Sequence, residues 1–150
     1  FDLKLPGYRT VLKSYVYILM TKIFRAVKES DSLNIYSEVG KIAPEVIRYI
    51  EENYNRKLTL SELAKIVCYN PSYFSRIFKE CFGKSVTEYI NIKRISSSAE
   101  LLEKTDYPIE TIASQTGFND TKRFYYLFKK YMGTTPHDYR IKIKKNTGRK

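Results

Sequence analysis

Residues 109–120 read Ile109-Glu110-Thr111-Ile112-Ala113-Ser114-Gln115-Thr116-Gly117-Phe118-Asn119-Asp120, and the chain runs on through Phe124 and Phe128 to Gly133 and Pro136. Pro108 opens a short helix that buries Ile109, Ile112 and Ala113. Gly117 supplies a turn, and Asn119 or Asp120 caps the next helix. On that helix Phe124, Leu127, Phe128 and Tyr131 recur at helical spacing, and Gly133 stops it. Thr135 then caps a last helix, with Pro136 at its first position, running to about Lys144. A short helix, a tight turn and a second helix are the parts of a helix-turn-helix.

The same grammar occurs upstream. Leu63 and Ala64 match Ile112 and Ala113, and Tyr69 and Asn70 match Phe118 and Asn119. After one inserted residue, Phe74, Phe78, Lys79, Gly83 and Tyr89 match Phe124, Phe128, Lys129, Gly133 and Tyr139. Thr59 to Glu62 has capping-box form, with Leu58 placed to staple onto Leu63. The helix that follows buries Leu63, Ala64 and Val67 and lasts to about Cys68. Asn70 caps the next, with Pro71 first in it, and Phe74, Ile77, Phe78, Cys81 and Phe82 form its buried stripe. Ser85 to Glu88 is a fresh capping box, opening a helix to about Glu103. Pro44 to Asn53 is an amphipathic helix with Val46, Ile47 and Ile50 on one side.

The expected fold is therefore all-α: two helix-turn-helix lobes, about 41–84 and 105–145, joined by a long linker helix over 85–104. Residues 1–40 form a separate segment. Leu12, Tyr15, Val16, Leu19, Ile23, Ala26 and Val27 make a helical stripe there, with Leu3 to Gly7 as an extended lead-in. Residues 146–150 are expected to fray.

Charge narrows the partner. Twenty-seven Lys and Arg against 16 Asp and Glu leave +11, a surplus that favours a polyanion. The longest strongly apolar run, Tyr15 to Met20, is too short for a membrane span. Cys68 and Cys81 lack metal-ligand spacing and read as small core residues. His137, the one histidine, reads as a surface residue, and no Gly-rich phosphate loop occurs. No cofactor, metal or catalytic group is expected. The chain opens at Phe1 rather than Met, which reads as a fragment, and with no visible secretory signal a cytoplasmic location is expected.

The second helix of each unit carries the chemistry. Outside its buried stripe, the first copy leaves Ser72, Tyr73, Ser75, Arg76, Lys79 and Glu80; the second leaves Thr121, Lys122, Arg123, Tyr125, Tyr126, Lys129 and Lys130. Arg76 can present its fork to guanine O6 and N7 in a major groove. Lys79 and Lys129, one turn further along, reach for phosphate, as do Tyr73 and Lys130. A tyrosine on such a helix packs a base methyl, bonds a phosphate, or covers a neighbouring helix. A basic face can also be a solvated face and nothing more, and duplication at matching positions is what argues against that here.

The ordered run from Ile109 to Asp120, with Phe124, Phe128-Lys129-Lys130, Gly133, Pro136 and Tyr139-Arg140, resembles the signature of the AraC/XylS family of bacterial transcription regulators. Leu60 to Tyr89, including Asn70-Pro71-Ser72-Tyr73-Phe74-Ser75-Arg76-Ile77-Phe78-Lys79, is similar to that family's first helix-turn-helix. The resemblance covers about 41–145. It implies seven helices and sequence-specific binding of double-stranded promoter DNA, with RNA polymerase as a further partner. It places base contacts on Ser72, Ser75 and Arg76 in the first copy, and on Thr121, Lys122, Arg123 and Tyr126 in the second. Tyr126 departs from the family, which often carries Arg there, so Arg123 is the candidate to take over a guanine. Cys68 stands where the second copy has Gly117, which implies a slightly strained turn. Residues 1–40 are either the end of an effector or homodimerisation domain or a plain packing helix. Alternatives from other classes are a largely non-specific architectural binder, a cysteine-dependent DNA-repair enzyme, and a membrane-surface binder using the helix from Leu12.

Overall fold

The computed structural model describes residues 44–147, and the segment expected to hold the N-terminal helix, like residues 148–150, lies outside them. The described residues form seven helices and no strand. Helix α1 covers 44–53; α2 is Leu60–Ile66, α3 Pro71–Phe82, α4 Val86–Lys104, α5 Ile109–Gln115, α6 Thr121–Met132 and α7 Pro136–Thr147.

Caps set these bounds as the sequence predicts. Thr59 and Glu62 close a reciprocal capping box on α2. Asn70 accepts from the Tyr73 N–H at the start of α3; at the start of α4 Ser85 accepts from the Glu88 N–H, one half of the capping box expected there. Asp120 rather than Asn119 caps α6, accepting from the N–H groups of Lys122 and Arg123. Helix α7 continues to Thr147, past the Lys144 at which the sequence reading ends it.

The duplication is geometric as well as sequential. In the first turn the Tyr69 N–H donates to Ala64 O at 2.9 Å, and in the second Phe118 N–H donates to Ala113 O at 2.9 Å. Gly83 and Gly133, both left-handed, end α3 and α6 with 2.9 Å bonds to Lys79 O and Lys129 O. Phe74 and Phe78 stack at 5.7 Å and 58°, and Phe124 and Phe128 at 5.6 Å and 57°. The inserted residue sits between these matched parts. The turn from α2 to α3 spans 67–70, that from α5 to α6 spans 116–120, and the extra residue moves the cap to Asp120.

Each lobe has its own core, and α4 serves both. Val86 and Ile90 join the first core, around Leu63, Phe74 and Phe78. Ile95, Ala99 and Leu102 join the second, around Ile112, Phe124 and Phe128. One helix thus enters two cores, which holds the lobes in fixed succession along it.

Several expectations change. Cys68 is exposed rather than in the core: helix α2 ends at Ile66, and Cys68 takes the left-handed conformation at φ 56° that directs it out of the turn. Val67, Cys81, Phe82, Ile109 and Tyr131 are half-buried, fringing the cores. Burial, with the Glu80 charge, pushes the Cys81 thiol up to about 11, the opposite of what a reactive thiolate requires.

Candidate nucleic-acid interface

Helices α3 and α6 each begin behind a side-chain cap, bury a Phe-based stripe, and turn their remaining face to solvent. On α3, Ser72, Arg76 and Lys79 are exposed while Ser75 is half-buried. Arg76 lies 5.3 Å over the Tyr73 ring and 3.8 Å from the Glu80 carboxylate. Its guanidinium is thereby held along the helix, with a weak i,i+4 partner that a stronger acceptor can displace. Tyr73, expected to stand outside, is half-buried against the first core and meets Tyr69 edge-on at 5.0 Å.

On α6, Thr121, Lys122, Arg123, Lys129 and Lys130 are exposed, and Tyr126 is the most open large hydrophobic side chain among the described residues, at 67%. Tyr125, also read as outward-facing, is half-buried and packs against the second core. Lys130 lies 5.3 Å over the Tyr131 ring. The two basic faces thus come from matching positions, with Lys79 and Lys129 in the last turn of each helix. Arg123 differs from its neighbours, because it lines a cleft between the lobes.

That cleft adjoins a junction which the sequence reading did not single out. Arg94 of α4 donates through Nε to Tyr54 O at 2.7 Å and through one Nη to Arg56 O at 2.8 Å, both in the loop after α1. Its guanidinium also lies 5.7 Å over the ring of Phe118, in the turn of the second lobe. Burial, and then the charge of Arg123, holds Arg94 below its usual pKa. Gly117, at φ +88°, completes the junction: a Cβ there would stand 2.8 Å from Asn55 O and 2.9 Å from Arg94 Nε. The available signal was the α4 stripe Ile90, Arg94, Ser98, where polar residues interrupt apolar spacing.

Further ties hold each lobe together, some of them through α4. Lys93 pairs with Glu51 and lies 5.6 Å over the Tyr54 ring. In the second lobe, the Ser98 and Thr116 hydroxyls meet at 2.8 Å in the interior. Arg140 donates to Tyr107 O at 2.6 Å, and Lys144 pairs with Asp106. In the first lobe, Glu62 accepts from Arg56 at 2.6 Å and from Tyr49 at 2.7 Å, bonds that lower its carboxyl to about 2. Among the described residues no cluster of His, Cys, Asp and Glu could hold a metal, and no helix is long and apolar enough to cross a membrane.

Comparison with known proteins gives this geometry its relatives. The family model described as a helix-turn-helix domain matches residues 63–142. The melibiose operon regulatory protein of Escherichia coli K12 is 34% identical over 132 residues, covering 88% of this chain and 42% of that protein. The transcriptional regulatory protein HptR of Staphylococcus aureus is 36% identical over 95 residues, 63% of this chain and 37% of its own length. The chain therefore spans less than half the length of these relatives. Among solved structures, the C-terminal domain of AraT, a response regulator from Geobacillus stearothermophilus, aligns with TM-score 0.61 and 34% identity, covering 68% of this chain and 88% of that one. The DNA-binding domain of AdpA, solved with a target DNA, shares the fold at TM-score 0.68 and 22% identity, over 73% and 98% of the two chains. Two helix-turn-helix units on one linker helix, and a matched sequence signature running through both, place this chain in the AraC/XylS-type family of transcription-regulator DNA-binding domains.

Proposed function

We propose that this chain binds double-stranded promoter DNA sequence-specifically, laying α3 and α6 into successive major grooves as the output domain of a bacterial transcription regulator. The observation that carries the reading is the matched pair of basic, hydroxyl-bearing helix faces on two lobes clasped at Arg94. Grooves one turn apart are about 34 Å apart, so a single chain covers an asymmetric site without a palindrome. Ser72, Ser75 and Arg76 read bases from the first lobe, and Thr121, Lys122, Arg123 and Tyr126 from the second. Tyr73, Lys79, Lys129 and Lys130 hold phosphates, which fix register. RNA polymerase is the second partner, self-association uses segments outside the described residues, and the site of action is the nucleoid.

A second reading has one observation in its favour. Arg123 lines the interlobe cleft and Tyr126 carries no charge, so the second lobe can act as a clamp on the backbone while the first alone reads bases. Selection from a random ~30-base-pair duplex pool at near-physiological salt separates the two. Two short enriched boxes about one turn apart support two-lobe readout, and one box supports the clamp. No enrichment, with affinity collapsing as salt rises, would overturn specific recognition.

A further inference from the structure

The linker helix carries a buried amide with no hydrogen-bond partner among the described residues. Asn91 is 9% exposed, and its side chain makes no hydrogen bond to any described residue. An amide withdrawn from water without a partner is unfavourable unless something else completes it. Among the described residues, the fully enclosed side-chain polar atom lacking a partner is Nε of Arg140. The Asn91 amide is therefore not fully enclosed, and Asn91 lines the interlobe cleft of about 330 Å³.

The charges around that cleft are one-sided. Arg56, Lys57, Arg94 and Arg123 line it, against the single carboxylate of Asp120. Asp120 is already engaged, accepting from the first N–H groups of α6, and Arg56 is met by Glu62. Among the described residues Lys57, Arg94 and Arg123 have no carboxylate partner. Arg94 is pressed further by burial and by the like charge of Arg123. Thr87 adds a hydroxyl to the same wall and Asn119 an amide. Donors thus converge from α4, from the loop after α1, and from the start of α6. A tetrahedral phosphate accepts from several directions at once, whereas a carboxylate accepts in one plane.

We infer that the cleft between the lobes is a phosphate site, with Asn91 as the neutral donor at its wall and Arg94 and Lys57 as its cations, while Arg123 at its rim adds positive field. The phosphate comes either from the DNA backbone between the two boxes or from a free phosphate ester; the first source rests on the proposed DNA binding and the second does not.

The test titrates the intact chain with inorganic phosphate at constant ionic strength, following the side-chain N–H signals of Asn91 and Arg94 by NMR. The expected result is a saturable shift of both, weakened about tenfold or more by Asn91→Leu. Thr87→Val, on an exposed position of the same wall, is expected to weaken it less and serves if Asn91→Leu does not fold. A second arm replaces single DNA phosphates by neutral methylphosphonates. If the backbone is the source, one linkage between the boxes weakens the wild type but not the Asn91 variant, and phosphate competes with DNA. If a free ester is the source, phosphate binds the protein–DNA complex as well and no linkage stands out. A shift that fails to saturate, or that is unchanged in the variants, would overturn the site. Loss of DNA specificity with phosphate binding intact would overturn the proposed function instead.

Discussion

Arg94 and Gly117 lie in contact across the two lobes, so close that a Cβ on the glycine would stand 2.9 Å from the arginine Nε. The contact matters because the arginine is at the same time bonded to Tyr54 O and Arg56 O in the first lobe. One side chain thus joins the loop after α1 to the turn ahead of the second recognition helix. Replacing Arg94 by Lys keeps a charge but loses the fork that reaches both carbonyls. The expected outcome is two lobes that still fold, by circular dichroism, with a lowered preference for a two-box duplex over a single box. Unchanged preference would show that α4 alone fixes the lobes.

The equivalent turn position gives opposite results in the two copies. Gly117→Ala meets both a left-handed backbone, at about 1–2 kcal/mol, and the crowding at Asn55 O. It should lower stability by roughly 2 kcal/mol or more, combining that strain with the clash. Cys68 already occupies the left-handed region and is exposed, so Cys68→Gly should be neutral or stabilising by up to ~1 kcal/mol. Chemical denaturation of both variants measures the contrast.

Acid sensitivity follows from Glu62. Its folded carboxyl titrates near 2 against an ordinary 4.5, through bonds from Arg56 and Tyr49. A lowered folded pKa stabilises above the unfolded value, and that stability is lost as pH falls from about 4.5 through about 2. Glu62→Gln should therefore be less stable than wild type at neutral pH, with the difference shrinking across that window. A constant difference from pH 6 to pH 2 would contradict the linkage.

Base reading and phosphate holding separate in a mutant series on α3. Arg76→Ala should cost about 1–3 kcal/mol on the preferred duplex and relax preference at one base pair. Lys79→Ala should weaken all duplexes alike and flatten the salt slope by about one unit. Glu80→Gln removes the carboxylate 3.8 Å from Arg76 and should tighten DNA binding modestly, by less than tenfold, since an exposed pair contributes little. Titrations at several salt concentrations read all three.

Much of this architecture was legible because the cues were local. Capping residues at Thr59, Asn70 and Ser85, stops at Gly83 and Gly133, and the Phe stripes each specify a neighbour a few residues away. The recognition faces were legible for the same reason, by subtraction of the stripe. For Tyr73 and Tyr125 the spacing left open whether the ring faces out or covers a neighbour, and both lean onto the core edge half-buried, which helical spacing does not foretell. Cys68 was misread because its burial was extrapolated from a helix that ends two residues earlier. Arg94 and Asn91 escaped notice because the carbonyls of Tyr54 and Arg56 that Arg94 binds, and the cleft that Asn91 lines, are assembled from residues distant in sequence.

The most direct test of two-lobe recognition is the affinity of the intact chain for its selected two-box duplex after five base pairs, half a helical turn, are inserted between the boxes. Affinity is expected to fall to that of a duplex with one box, because the clasped lobes cannot follow the second box to the opposite face. Affinity equal to that of the original spacing would contradict two-lobe recognition.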